Sequence, residues 1–271
     1  MRTYVLQLTL SAAAAAAATP SAYAHSDVLV RSDGARVLIG AASDLDGEEG
    51  GPEFDLTTRV FEGVLLNPAA PTPPFGFDFE RDEPGFYSQP GLAVGQDLPA
   101  SAGLALALEP LTISSGTDSV FYWDGAGEVA FEPLSTAQPG VDFTFQPMAP
   151  APFATTDALG AVDDHPLFGL TGGAADGVYL TQVRLAVDGL APSEPFLMVW
   201  LASSVITTEE LAESLEESLE AFEEGGPAPI VAGVDFTFFE EAVEFAEGIP
   251  EPSAAVLAAF ALAAAARRAR S

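Results

Sequence analysis

Cysteine is absent from all 271 residues, and so is lysine. Without cysteine the chain forms no disulfide, presents no thiolate nucleophile and builds no cysteine-ligated metal site. Without lysine it also lacks the amine nucleophile of Schiff-base chemistry. Histidine is almost as scarce: only His25 and His165 supply imidazoles, the side chain whose unperturbed pKa lies nearest neutrality. No Gly-x-Ser-x-Gly elbow presents a serine nucleophile. Paired carboxylates of the kind that hydrolyse glycosides are everywhere in so acidic a chain and therefore single out no pair.

Positive charge is the next shortage. Nine arginines face forty acidic residues, a formal net charge of −31. Four of the arginines stand at the two ends, so residues 25 to 252 hold five basic against forty acidic residues, a net −35. Such a field repels nucleic-acid phosphates and anionic lipid surfaces, which excludes a nucleic-acid role. It attracts cations, but solubility in a salty medium explains the charge without any dedicated site.

The two ends carry the clearest motifs. Arg2 supplies a positive n-region, Tyr4 to Ala18 an apolar run, and Ala22-Tyr23-Ala24 a small-x-small cleavage site. Residues 1–24 thus read as a secretory signal peptide, with His25 as the first mature residue. At the other end, Ile249-Pro250-Glu251-Pro252 is followed by the apolar run Ser253 to Ala266 and by Arg267, Arg268 and Arg270. Residues 249–271 resemble the PEP-CTERM sorting tail of Gram-negative bacteria. The resemblance implies transient anchoring in the inner membrane, recognition by an exosortase, cleavage near Pro250-Glu251-Pro252, and delivery of the remainder to the cell envelope or extracellular matrix. The apolar run is short. At about 1.5 Å per helical residue it reaches roughly 21 Å against a hydrocarbon core of roughly 30 Å, as suits a weak anchor awaiting cleavage. Arginines at the extreme C-terminus would stay cytoplasmic and leave the body outside.

Between the signals, residues 25–248 show short β-type runs punctuated by Gly, Pro, Asp and Ser. Val28 to Val30 and Arg36 to Ile39 flank Ser32-Asp33-Gly34, a hairpin pattern. Further strands are expected at Arg59 to Leu66, Leu104 to Leu108, Leu111 to Ser114, Val120 to Trp123, Val129 to Phe131, Val141 to Gln146, Leu167 to Leu170, Gly177 to Val187 and Pro195 to Leu201. The fold class expected is mainly β, an antiparallel β-sandwich or jelly roll in one domain. One amphipathic helix, about 208–224, interrupts it. Thr207-Thr208-Glu209-Glu210 reads as a capping box, Leu211, Leu215, Leu219 and Phe222 share one stripe with glutamates on the others, and Gly225-Gly226-Pro227 stops it. A strand over Ile230 to Phe239 and a short acidic helix over Phe239 to Glu247 follow.

Candidate chemistry centres on the two histidines. Cleavage after Ala24 would let the α-amine and imidazole of His25 chelate one metal, with His165 completing three nitrogen ligands and Asp27 and Asp164 as carboxylate ligands. Asp163 is a further outer-shell candidate. This set resembles the histidine brace of secreted copper proteins, including lytic polysaccharide monooxygenases and periplasmic copper carriers, so copper or another divalent metal is the implied cofactor. Asp44-Leu45-Asp46-Gly47-Glu48-Glu49 has a partial calcium-loop look but lacks EF-hand spacing, and is read as a solvated acidic loop. Trp123, Tyr122, Phe121 and Trp200 could stack on exopolysaccharide as a carbohydrate-binding module does, although aromatics in β-runs are expected in the core. The function expected is that of a non-enzymatic exported protein. Metal binding and carbohydrate binding stand as the alternatives, and an exosortase and the inner membrane as partners.

Overall fold

A computed structural model describes residues 26–43, 45, 52–68, 75–147 and 150–250. The described residues open with the strands β1 (Asp27–Ser32), β2 (Val37–Ser43), β3 (Glu53–Asp55) and β4 (Val60–Leu65). Short strands β5 (Phe79–Arg81) and β6 (Phe86–Ser88) precede β7 (Gly103–Leu108), β8 (Leu111–Ile113), β9 (Gly116–Asp118) and β10 (Val120–Trp123). Next come β11 (Glu132–Pro133), the single turn α1 (Leu134–Ala137), β12 (Asp142–Gln146), β13 (Ala154–Thr155), β14 (Val162–Asp164) and β15 (Leu167–Thr171). The long strand β16 (Gly177–Val187) and β17 (Phe196–Ala202) lead into helix α2 (Glu209–Glu223). The two-residue strands β18 (Ile230–Val231) and β19 (Val234–Asp235) then pass to helix α3 (Thr237–Glu247).

The fold is mainly β, as the local patterns predict. One sheet has the order β14-β6-β1-β2-β3, the central sheet β11-β10-β16-β17-β4, and a third β12-β15-β5. The first half of β16 pairs with β10 and its second half with β7. Most pairings are antiparallel, but β1 runs parallel to β6 and β17 parallel to β4.

Strict alternation along the central strands divides the interior in two. Tyr179, Val183, Leu185, Phe196, Met198 and Trp200 face the first and third sheets across one core. Val178, Leu180, Leu197, Val199 and Leu201 face α2 and α3 across a second. Strand β4 obeys the same rule, sending Phe61 and Leu65 into the first core and Val60 and Val64 into the second. The aromatic residues weighed as a sugar platform are structural: Trp200, Phe121 and Trp123 are buried, and only Tyr122 is half-exposed.

The β1–β2 hairpin forms as expected. Asp33 accepts hydrogen bonds from the Ala35 and Arg36 N–H groups at 2.8 and 2.7 Å, and Gly34 takes φ +89°, a conformation that an L side chain rarely adopts. Helix α2 follows its predicted bounds within a residue. Its capping box does not close: Thr208 precedes the helix in extended conformation without a side-chain cap bond, and its carbonyl accepts the Leu211 and Ala212 N–H groups at 3.2 Å. The glutamates do not all lie outside either. Glu216 is buried, and Arg81 on β5 reaches it at 3.1 Å and Glu209 at 3.0 Å.

Two local expectations need correction. Val129 to Phe131 forms no strand, since Phe131 is held by packing on Trp123 and Phe245 rather than by ladder bonds. The strand expected from Ile230 to Phe239 is two short strands and the start of a helix. Asp235 accepts the Thr237 N–H at 2.9 Å and begins α3 two residues before the predicted Phe239. Among the described residues no helix is long and apolar enough to cross a membrane. The signal peptide, the Asp44 to Glu49 loop apart from Leu45, and the tail beyond Pro250 lie outside the described residues.

Candidate functional site

The sheet β14-β6-β1-β2-β3 brings His165 to Asp27. Strand β6 lies between β1 and β14, so the start of β1 and the end of β14 meet at one margin. His165 and Pro166 form the short connection from β14 to β15. Gly85, just before β6, donates its N–H to Asp27 Oδ1 at 2.8 Å, and its carbonyl accepts the Val28 N–H at 2.9 Å. A Cβ on Gly85 would stand 2.5 Å from His165 Cε1, so only glycine lets the imidazole lie against this backbone.

Three acidic side chains surround the ring. His165 Nδ1 lies 3.3 Å from Glu83 Oε1 and 3.2 Å from the Asp82 carbonyl, and Nε2 lies 3.5 Å from Asp163 Oδ1. Asp27, Glu83 and His165 each offer a ligand atom within 4.8 Å of the other two. The hydrogen bond to Glu83 raises the imidazole pKa to about 9, with the Glu83 and Asp27 charges adding to it against the cost of burial. Burial lifts the Asp27 carboxyl to about 6, and the nearby Glu83 charge adds to this. At neutral pH the cluster is therefore an imidazolium among carboxylates.

One imidazole nitrogen and two carboxylate oxygens are a donor set that first-row divalent ions accept, and a metal here must displace the His165 proton. Beside the cluster a shallow cleft of about 360 Å³ is lined by Tyr87, Ser88, Gln89, Ala161, Val162 and Asp163. Tyr87 lies parallel to Phe54, with ring centroids 6.1 Å apart and an interplanar angle of 6°.

Of the ligands expected from the sequence, the fold joins His165 and Asp27. It does not include Asp164: alternation along β14 turns Asp163 and Asp164 to opposite faces, and Asp163 is the one that meets the ring. Glu83 is the residue the sequence did not single out. Nothing in Arg81-Asp82-Glu83-Pro84 separates it from the other acids, because its placement depends on the chain returning to pair with β1. His25 lies outside the described residues, as do Glu251, Pro252, Arg267, Arg268 and Arg270, while Pro250 closes the described chain.

Comparison of the chain with family models, with curated proteins and with solved structures found no match.

Proposed function

We propose that the protein is exported, handed to an exosortase-type sorting enzyme at the inner membrane, and placed in the cell envelope or extracellular matrix, where it acts by structure or binding rather than by catalysis. The observation that carries this reading is the pair of terminal motifs: Arg2, the apolar run Tyr4 to Ala18 and Ala22-Tyr23-Ala24 at one end, and Ile249-Pro250-Glu251-Pro252 with its apolar run and arginines at the other. Among the described residues the first strand opens at Asp27 and the last helix closes at Glu247. Cuts after Ala24 and near Pro250-Glu251-Pro252 would release the domain without severing any described strand or helix. The acidic body fits the same destination, since it keeps a solvated surface in a salty medium.

Expression in a Gram-negative host with and without an active exosortase tests the proposal. With it, the expected product starts at His25, ends near the Pro-Glu-Pro motif and leaves the inner membrane; without it, or with Glu251→Ala, the protein stays membrane-bound. Recovery of an uncut chain from the cytosol in both hosts would overturn it.

The convergence of Asp27, Glu83 and His165 favours a second reading, metal binding by the exported domain. In the mature chain His25 would stand two positions before Asp27 and could add its α-amine and imidazole. Titration of the mature protein with Cu²⁺ at pH 7.5, followed by electron paramagnetic resonance, should give one nitrogen-ligated equivalent. His165→Ala should weaken it by about tenfold or more. A spectrum and affinity unchanged by that substitution would remove this reading.

A further inference from the structure

A second cluster lies on the opposite side of the central sheet. In Val60-Phe61-Glu62-Gly63-Val64-Leu65 the alternation assigns position 62 to the core shared with α2 and α3, a place for an apolar side chain. The chain puts a glutamate there. Glu62 is only 7% exposed, and neither of its carboxylate oxygens has a hydrogen-bond partner. An orphaned buried carboxylate is among the costliest groups a fold can hold, and burial of this kind is ordinarily answered by a cation or a proton.

The surroundings of Glu62 point to a cation. Glu223 at the last residue of α2 and Glu240 in the first turn of α3 each bring a carboxylate oxygen within 4.8 Å of that of Glu62 and of each other. Oε1 of Glu240 is also buried without a partner, while the Glu240 and Glu223 side chains hydrogen-bond to each other. The strongest charges acting on Glu62 are all negative: Glu240 and Glu223, then Glu247 and Glu216. Arg81, the arginine paired with Glu216, gives its Nη2 to Glu216 and Glu209, while its Nε and Nη1 are buried without a partner. Two oxygens on opposite sides of an ion bonded at about 2.4 Å are about 4.8 Å apart, so the three side chains span one coordination sphere of calcium, which takes oxygen ligands at 2.3–2.6 Å.

We propose that Glu62, Glu223 and Glu240 form a calcium-binding site that fastens α2 and α3 to the edge strand β4. The ligands are oxygen only, three in number and anionic, which suits a hard divalent cation and not copper. The site is separate from the His165 cluster and does not depend on it. Its role is structural: the ion would neutralise the buried acids, and its loss would loosen the helical layer.

Thermal unfolding of the chelator-treated protein, with and without CaCl₂ at about a hundredfold excess over Kd, tests this. Calcium should raise the unfolding midpoint by about 5–10 °C. Isothermal titration should resolve one equivalent whose affinity drops at least tenfold in Glu62→Gln, which keeps the side-chain shape. Glu223→Gln, on the exposed rim of the cluster, should weaken binding without touching the core. Asp27→Asn combined with His165→Ala should leave the shift intact, which separates this site from the metal reading above. The proposal fails if calcium produces no shift, if sodium chloride at equal ionic strength reproduces it, or if Glu62→Gln and Glu223→Gln retain it in full.

Discussion

Arg31 shows how a single side chain stabilises the first sheet. It is 1% exposed, and its guanidinium donates to the Val94 carbonyl at 2.8 Å, the Gln89 carbonyl at 2.9 Å, Ser88 Oγ at 3.4 Å and Asp97 Oδ1 at 2.8 Å. These bonds tie β1 to the loop after β6. The Gly91 N–H and then Arg31 hold the Asp97 carboxyl below its ordinary range. Arg31→Met would strand several acceptors, and we expect a loss of about 2–4 kcal/mol in urea unfolding. Arg36 pairs with Glu194 where both side chains are about half-exposed, so Arg36→Met should cost less than about 1 kcal/mol in the same measurement. Equal effects would mean that burial does not govern the cost. Neither difference is visible in the sequence, where both residues are arginines at the margins of one hairpin.

Among the elements, legibility follows the apolar run. Strands β4, β7, β10, β12, β15, β16 and β17 were readable as apolar β-type runs bounded by turn residues, and helix α2 by its apolar stripe. The strands β3, β5, β6 and β14 have three residues each and no apolar run like the Leu111-Thr112-Ile113 of the equally short β8 to mark them, and they form because neighbours supply ladder bonds. That limit governs the candidate site directly. Asp27 and His165 stood out in the sequence as an acid beside the expected cleavage site and one of two histidines, but β6 and β14 are what bring them together. Glu83 was lost among forty acids for the same reason. The helical layer repeats the lesson: α2 was legible, yet the burial of Glu216 on its packed side was not, since its partner Arg81 lies 135 residues away.

For the whole molecule, the summed electrostatics give a pH profile with a definite sign. Burial raises the carboxyl pKa of Asp27 to about 6, of Glu216 and Glu223 to about 7, and of Glu240 to about 8, with neighbouring acids adding to each. In the cation-free fold these groups hold protons that the unfolded chain releases near the ordinary values of 3.8 and 4.5, so stability falls as pH rises through that interval. His165 acts in the same direction: its contribution is complete below 6.5 and is lost as pH rises through about 9. Asp33, Asp55, Asp97, Asp118 and Asp157 are lowered mainly by hydrogen bonds, and their contribution disappears as pH falls below 3.8. Unfolding midpoints measured in chelator should therefore peak between about pH 4 and 5 and decline steadily toward pH 9. A midpoint that rises from pH 5 to 8 would contradict the buried acids placed here.

The sequence by itself determined the β class, the long strands, helix α2, the acidic surface and the absence of cysteine and lysine chemistry, because composition and periodicity act locally and need no partner. Only the tertiary structure decided which acids became buried and which of them gathered around His165 or Glu62. A carboxylate's environment is set by chain segments far away in the sequence, and forty such groups look alike until the fold brings those segments together.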